Sequence, residues 1–264
     1  MKMVSLASTL HNPNSEMLSI TKKFFRKLKK IFMSLNLVVT KTTDRELIKY
    51  LKKQKVNLQL VKPIIPLGSS SHRKLAVKMA LNNNESFQLY FHIDFDRLLH
   101  WISHYPEELK ELLTNIPSFD LTSVGRTKRA FKTHPKVQRK MEDWTNEKLY
   151  KLIPIRLDMP SGCQILSIRM AKIIVDKASE NMTLSEAEGG WLGLAYKNKL
   201  KIGLVKKDGM EFETADFHKS EIKRAGSLKK WVDENYETGD MWKLRRLTAE
   251  KTVMAAKRSL SLKN

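Results

Sequence analysis

Residues 191–204 constrain the fold more than any other part of the chain. An apolar run reaches Tyr196, Lys197 and Asn198 offer a polar turn, and Leu200, Ile202 and Leu204 then alternate with Lys199, Lys201 and Gly203. Period-two alternation sends successive side chains to opposite faces. The pattern predicts a strand with an apolar inner face and a cationic outer one, and such a strand needs a sheet to join.

Other segments supply candidates for that sheet. Residues 56–61 alternate, Pro63 and the run 66–68 break the pattern, and 75–81 form a further apolar run. A turn at 82–84 precedes a second alternating stretch over 87–94. These read as three strands separated by turn chemistry. Residues 149–157 and 164–175 are also strand-like, split by a turn at 159–162. Thr43 and Asp44 resemble a helix start for 45–55. Residues 98–113 read as helical with a fresh start at Pro106. The first 19 residues are polar and read as flexible, and the tail from Gly209 onward reads as partly helical.

The 264 residues include 49 Lys and Arg against 28 Asp and Glu, a formal net charge of +21. Such an excess repels itself in a compact state, and a polyanion or an anionic surface would relieve it. The single cysteine, Cys163, excludes a disulfide framework or a cysteine-rich zinc module. No apolar run approaches the roughly 20 residues that span a bilayer, and no secretory signal is expected.

Residues 20–35 carry Phe24, Leu28, Ile31 and Phe32 at helical spacing among Lys22, Lys23, Arg26, Lys27, Lys29 and Lys30. A basic amphipathic helix of this kind can lie on a membrane, bind a partner or cover its own core.

Catalytic patterns are sparse. No nucleophile elbow, phosphate loop or dinucleotide fingerprint is present. His92, Asp94 and Asp96 would share a strand face, and His100 and His104 a helix face. Trp101 occupies the position where a zincin carries its glutamate, so a hydrogen-bonded role is expected and no metal site is assigned. The reading is therefore of a non-enzymatic protein with no catalytic residues and no cofactor.

Basic segments are the positive signal. Arg126, Lys128, Arg129, Lys132, Lys136, Arg139 and Lys140 fall within 15 positions, and Lys199 and Lys201 add a second group. These are the expected contacts to the phosphates of single-stranded nucleic acid, probed without sequence preference.

The stretch from Tyr196 to Leu204, Tyr-Lys-Asn-Lys-Leu-Lys-Ile-Gly-Leu, resembles an element of the plant-virus cell-to-cell movement proteins of the "thirty-kilodalton" superfamily. Residues 164–174 are similar to the strand before that element, and 89–97 to an earlier strand ending in Asp with a nearby Arg. The resemblance implies a mainly β core, an antiparallel two-sheet, jelly-roll-like sandwich at 46–208. A basic helical insert at 98–148 and helical extensions at 1–45 and 209–264 would complete an α+β chain. Asp94 or Asp96, with Arg97, Tyr196 and Gly203, would be structural. The family also implies binding to single-stranded RNA and to host membrane, self-association, and a place at plasmodesmata and in the cytoplasm. The alternative is a matrix-type structural protein of a negative-strand RNA virus, binding membrane and viral nucleocapsid.

Overall fold

The computed structural model describes residues 4–13, 16–63, 70–83 and 88–262. The sequence-predicted break at 66–68 lies outside them, as does part of the turn at 82–84. Seven strands are present among the described residues: β1 (Val4–Leu10), β2 (Ser34–Thr40), β3 (Asn57–Val61), β4 (Leu89–Asp94), β5 (Leu121–Arg126), β6 (Gln164–Ser167) and β7 (Ile202–Lys207). They form one sheet in the order β3-β2-β1-β4-β6-β5-β7, in which β6 alone runs antiparallel.

The helices are α1 (Glu16–Ile31), α2 (Arg45–Lys53), α3 (Ser70–Asn83), α4 (Phe95–His104), α5 (Pro106–Thr114) and α6 (Lys128–Thr133). They continue with α7 (Lys136–Leu152), α8 (Ile168–Lys177), α9 (Glu186–Lys197), α10 (Lys219–Ala225), α11 (Leu228–Asn235) and α12 (Gly239–Ser261). Leu6, Phe91 and Ile93 pack with α1, α2, α4 and α5 on one face of the sheet. Ala7, Tyr90 and Leu166 pack with α3, α8, α9 and α12 on the other. Helices on both faces of a mostly parallel sheet make an α/β three-layer fold.

This corrects the expected two-sheet sandwich. The polar-looking N-terminus supplies β1, a central strand, because Ser5 and Ser8 are small enough to pack and find partners. Ser8 Oγ donates to the Ile93 carbonyl at 2.6 Å, and the Ser5 and Ser34 hydroxyls meet at 2.6 Å. The apolar run at 75–81 is helix α3, since Ala76, Val77, Ala80 and Leu81 fall on one buried helical face. A short apolar run does not distinguish strand from helix by period alone. Residues 149–152 close α7 and 153–157 follow as irregular chain, and 168–177 form α8 rather than continuing β6. The basic region from α4 to α7 is no insert, because β5 lies inside it.

The opening segment divides in two. Residues up to Lys197 belong to α9, and β7 is the parallel edge strand beside β5. Leu200 is buried, Ile202 and Leu204 half-buried, and Lys199 and Lys201 exposed. Gly203 is buried beneath the Phe119 ring, which leaves no room for a Cβ.

Candidate active site

The chain runs β1 to β2 to β3 outward from the centre, then returns to place β4 on the other side of β1. In an open α/β sheet the crevice beyond the carboxyl ends of such strands is where ligands bind. Thr9 near the end of β1 pairs in register with Asp94 at the end of β4. Thr9 Oγ1 donates to Asp94 Oδ1 at 2.5 Å.

Asp94 occupies the N-cap position of α4 without capping it. Its second oxygen instead accepts from Arg73 at 2.7 Å, and the same guanidinium bonds Glu188 on α9. Arg97, one turn into α4, donates to Glu213 at 2.7 Å and to the Ser161 carbonyl. Gly162 follows in a left-handed turn, φ 72°, that carries the chain past both arginines into β6. The residues Arg73, Asp94, Arg97, Glu188 and Glu213 line a cavity of about 160 Å³, closed on one side by Arg245, Thr248 and Thr252 of α12.

Several buried polar atoms at this cavity have no hydrogen-bond partner: Arg97 Nε, Ser161 Oγ, Glu188 Oε2 and Glu213 Oε2. Buried polar groups are nearly always satisfied, and a cluster of exceptions marks a place where something else binds. The set offers both a donor and carboxylate acceptors, so the complementary ligand carries hydroxyl groups as well as anionic oxygens.

Electrostatics separate the two aspartates. Burial pushes the Asp94 carboxyl up, but Arg73 and Thr9 outweigh it and hold it at about 2. Burial, Glu213 and Asp94 push Asp96 up to about 7, with Arg97 opposing. The backbone N–H of Arg97 donates to Asp96 at 2.8 Å, and no described cation forms an ion pair with it. Asp96 is therefore partly protonated near neutral pH, and a divalent cation beside it would favour its ionised form. The described carboxylates here do not form a three-ligand cluster. A cation here would have at most Asp94 and Asp96 to hold it, with water completing its shell.

Because Asp96 is raised from 3.8 to about 7, its protonated form stabilises the fold. That contribution is complete below pH about 4 and lost as pH rises through about 7. Urea unfolding at pH 5 and pH 8 should show the wild type losing stability that Asp96→Asn retains. An identical pH dependence in both proteins would contradict the raised Asp96 carboxyl.

The sequence offered no candidate site, and this crevice is one. Asp94 and Arg97, expected to be structural, are at its heart. Arg73, Glu188 and Glu213 escaped the sequence reading, because nothing local announces residues that converge from α3, α9 and the loop after β7. The pair Asp94 and Asp96 was legible as two carboxylates at a strand end. The expected shared face of His92, Asp94 and Asp96 does not form, since β4 stops at Asp94. His92 instead meets Gln164 at 2.9 Å and packs edge-on against Trp191.

The expected nucleic-acid contacts are scattered. Arg126 is buried, paired with Asp158 and Glu142. Arg129 is bonded to Asp208 and Glu211, and half-buried Arg139 donates to the His134 carbonyl. Lys128 and Lys132 are exposed on α6, Lys136 and Lys140 on α7, and Lys199 and Lys201 before β7, with Lys140 over the Trp242 ring. Tyr196 is exposed at the end of α9. In α1 and the residue after it, Phe24, Leu28 and Phe32 are buried in the protein's own core, Ile31 is half-buried and Lys27 is exposed. The apolar face of that helix is thus occupied. No helix among the described residues is long and apolar enough to cross a membrane.

Solved structures of glucosyl-3-phosphoglycerate synthase from Mycobacterium tuberculosis are similar in outline. One, in complex with Mn²⁺, uridine diphosphate and phosphoglyceric acid, gives a TM-score of 0.47 at 14% identity over 78% of this chain and 68% of that one. Another, with Mn²⁺, UDP-glucose and phosphoglyceric acid, gives 0.47 at 13% identity over 78% and 69%. No protein-family model matches the chain. No curated protein matches it. The resemblance to movement proteins is corrected by the single sheet with helices on both faces, which leaves no sandwich for those motifs to occupy. The matrix-type alternative, drawn from a basic N-terminal helix and a mixed α/β core, loses its free membrane helix because the apolar face of α1 is buried in the protein's own core, and the implied RNA and nucleocapsid partners fall with the movement-protein resemblance.

Proposed function

We propose that this chain is an enzyme that transfers a sugar from a nucleotide-diphosphate donor to an acceptor hydroxyl, assisted by a divalent cation. The observation that carries the reading is the switch-point cavity with its orphaned carboxylate and guanidinium atoms beside the Asp94–Asp96 pair. A diphosphate answers both halves of that set, since its oxygens can share a cation with two aspartates and also accept from Arg97. Sugar hydroxyls answer the free oxygens of Glu188 and Glu213. When bound, the cation would offset the charge that builds on the departing phosphate.

Glu188 has the position of a general base. Burial raises its carboxyl above the ordinary range against the pull of Arg73. Its Oε2 faces the cavity unpaired and can accept the proton of an attacking hydroxyl. Arg73 holds Glu188 and Asp94 in one frame, fixing the distance between base and donor.

UDP-glucose, bound in one of the similar structures, is the donor to test first. Release of UDP should require Mg²⁺ or Mn²⁺, and Asp96→Asn should lower the rate about a thousandfold, several kcal/mol of lost stabilisation. Ligand-observed NMR with a panel of nucleotide sugars extends the test beyond one compound. A folded protein that binds none of them in the presence of either cation would overturn the reading.

A further inference from the structure

We propose a second metal site, distinct from the Asp94–Asp96 pair, in which His100 and His104 of α4 and Asp216 bind Zn²⁺. Asp216 lies in the short 3-10 turn Thr214–Phe217 that packs against α4. One ring nitrogen from each histidine and one carboxylate oxygen all lie within 4.8 Å of one another. Asp216 Oδ2 is 2.7 Å from His100 Nδ1 and 3.6 Å from His104 Nδ1. Tetrahedral zinc with bonds near 2.0–2.1 Å sets ligand atoms about 3.4 Å apart. The two imidazoles stack with centroids 4.4 Å apart and planes 23° apart, and zinc lies in the plane of each imidazole it binds, so the half-exposed His104 ring must turn about its side-chain bonds to complete the site.

The surroundings of His100 support this assignment. Its Nδ1 faces the proposed ion, while its buried Nε2 lies 3.3 Å from Glu211 Oε1 without a full hydrogen bond. A zinc-bound imidazole almost always turns its other N–H to a carboxylate, a backbone carbonyl or a water, which fixes the tautomer, and Glu211 is placed to be that partner. Glu211 is itself held, accepting from the Tyr105 hydroxyl at 3.0 Å and from Arg129. His104 is half-exposed and opens the site to solvent. Its Nδ1 now meets Ser103 Oγ at 2.7 Å and the His100 carbonyl at 3.0 Å, contacts it exchanges for the ion. Two imidazoles and one carboxylate suit zinc, whereas the aspartate pair suits magnesium or manganese.

Zinc here would fasten the segment 211–217 to α4. That segment also carries Glu213 to Arg97, so the site is a clamp on one wall of the cavity.

The test is calorimetric titration of ZnCl₂ into chelator-stripped, untagged full-length protein, with Co²⁺ absorption reporting geometry. One equivalent should bind, with tetrahedral Co²⁺ bands. His104→Ala alters a half-exposed side chain and should fold normally, as thermal unfolding checks, yet weaken binding at least a hundredfold. Glu211→Gln should weaken it about 10- to 100-fold by releasing the His100 tautomer. Asp96→Asn should leave it unchanged, which separates this site from the aspartate pair and from the transferase reading. Wild-type affinity in folded His104→Ala, or no zinc binding by the wild type, would overturn the proposal.

Discussion

Replacing Arg126 with methionine should cost about 3–5 kcal/mol of stability, the usual loss when one partner of a buried ion network is removed. The side chain is fully buried at the end of β5. Its Nε and Nη2 donate to Asp158 at 2.9 and 2.7 Å, and Nη1 donates to Glu142 at 2.5 Å. Its backbone N–H adds a bond to Asp158 at 3.0 Å, and the guanidinium lies 4.8 Å from the Phe131 ring centre. Methionine fills similar volume but leaves two carboxylates facing each other without a cation. Denaturant unfolding should show a midpoint well below that of Lys136→Met, an exposed control expected within about 0.5 kcal/mol of wild type. Arg126→Lys should fall between them, keeping charge but losing the forked contact. Equal midpoints for Arg126→Met and Lys136→Met would contradict the buried network.

Gly189→Ala should destabilise by about 3 kcal/mol and damage the cavity at the same time. Helices α9 and α12 pack so closely that a Cβ on Gly189 would overlap the Thr252 carbonyl oxygen, a backbone atom that cannot swing aside. At Gly193 the new atom would lie 2.7 Å from the Ala256 carbonyl oxygen and 2.8 Å from Ser259 Cβ. Relief requires α12 to move outward, carrying Thr248 and Thr252 away from the cavity beside Glu188. Gly190 is the control, because its nearest neighbours would be at 3.6 and 3.9 Å, ordinary contact. Alanine there should be neutral or stabilising by up to about 1 kcal/mol, from helix propensity. Thermal unfolding of the two variants distinguishes a close helix approach from a general need for glycine. If Gly189→Ala unfolds with Gly190→Ala, the close approach is wrong.

Local chemistry made some elements readable. The Asp44 carboxylate accepts from the Leu47 N–H at 2.8 Å and starts α2 as a capping residue should. Pro106 opens α5, and residues 57–61 and 89–94 are strands as their alternation suggested. The failures have physical causes. Strand β1 looks polar because buried Ser5 and Ser8 are satisfied by partners on other strands. Helix α3 looks like a strand because one side of it is apolar over seven residues. The motif at 196–204 resembled part of a sandwich, yet a helix end followed by an edge strand carries the same letters.

The site shows the same division. Asp94, Asp96 and Arg97 are adjacent in the chain, and their presence at a strand end was legible. Their chemistry was not, because it depends on Arg73, Glu188 and Glu213 arriving from far along the sequence. Arg126 illustrates the converse. Within a run of cations it reads as a surface contact, and only burial beside Asp158 and Glu142 makes it a structural ion.

The sequence by itself determined the charge, the absence of a disulfide framework, and those elements whose caps and periods are local. Tertiary structure alone decided that the strands join one sheet, that its order reverses between β1 and β4, and that charges distant in sequence meet there. The physical reason is range. Capping and periodicity act within a few residues, whereas strand order and the desolvation of an ion pair depend on which surfaces are buried together, and no local pattern carries that information.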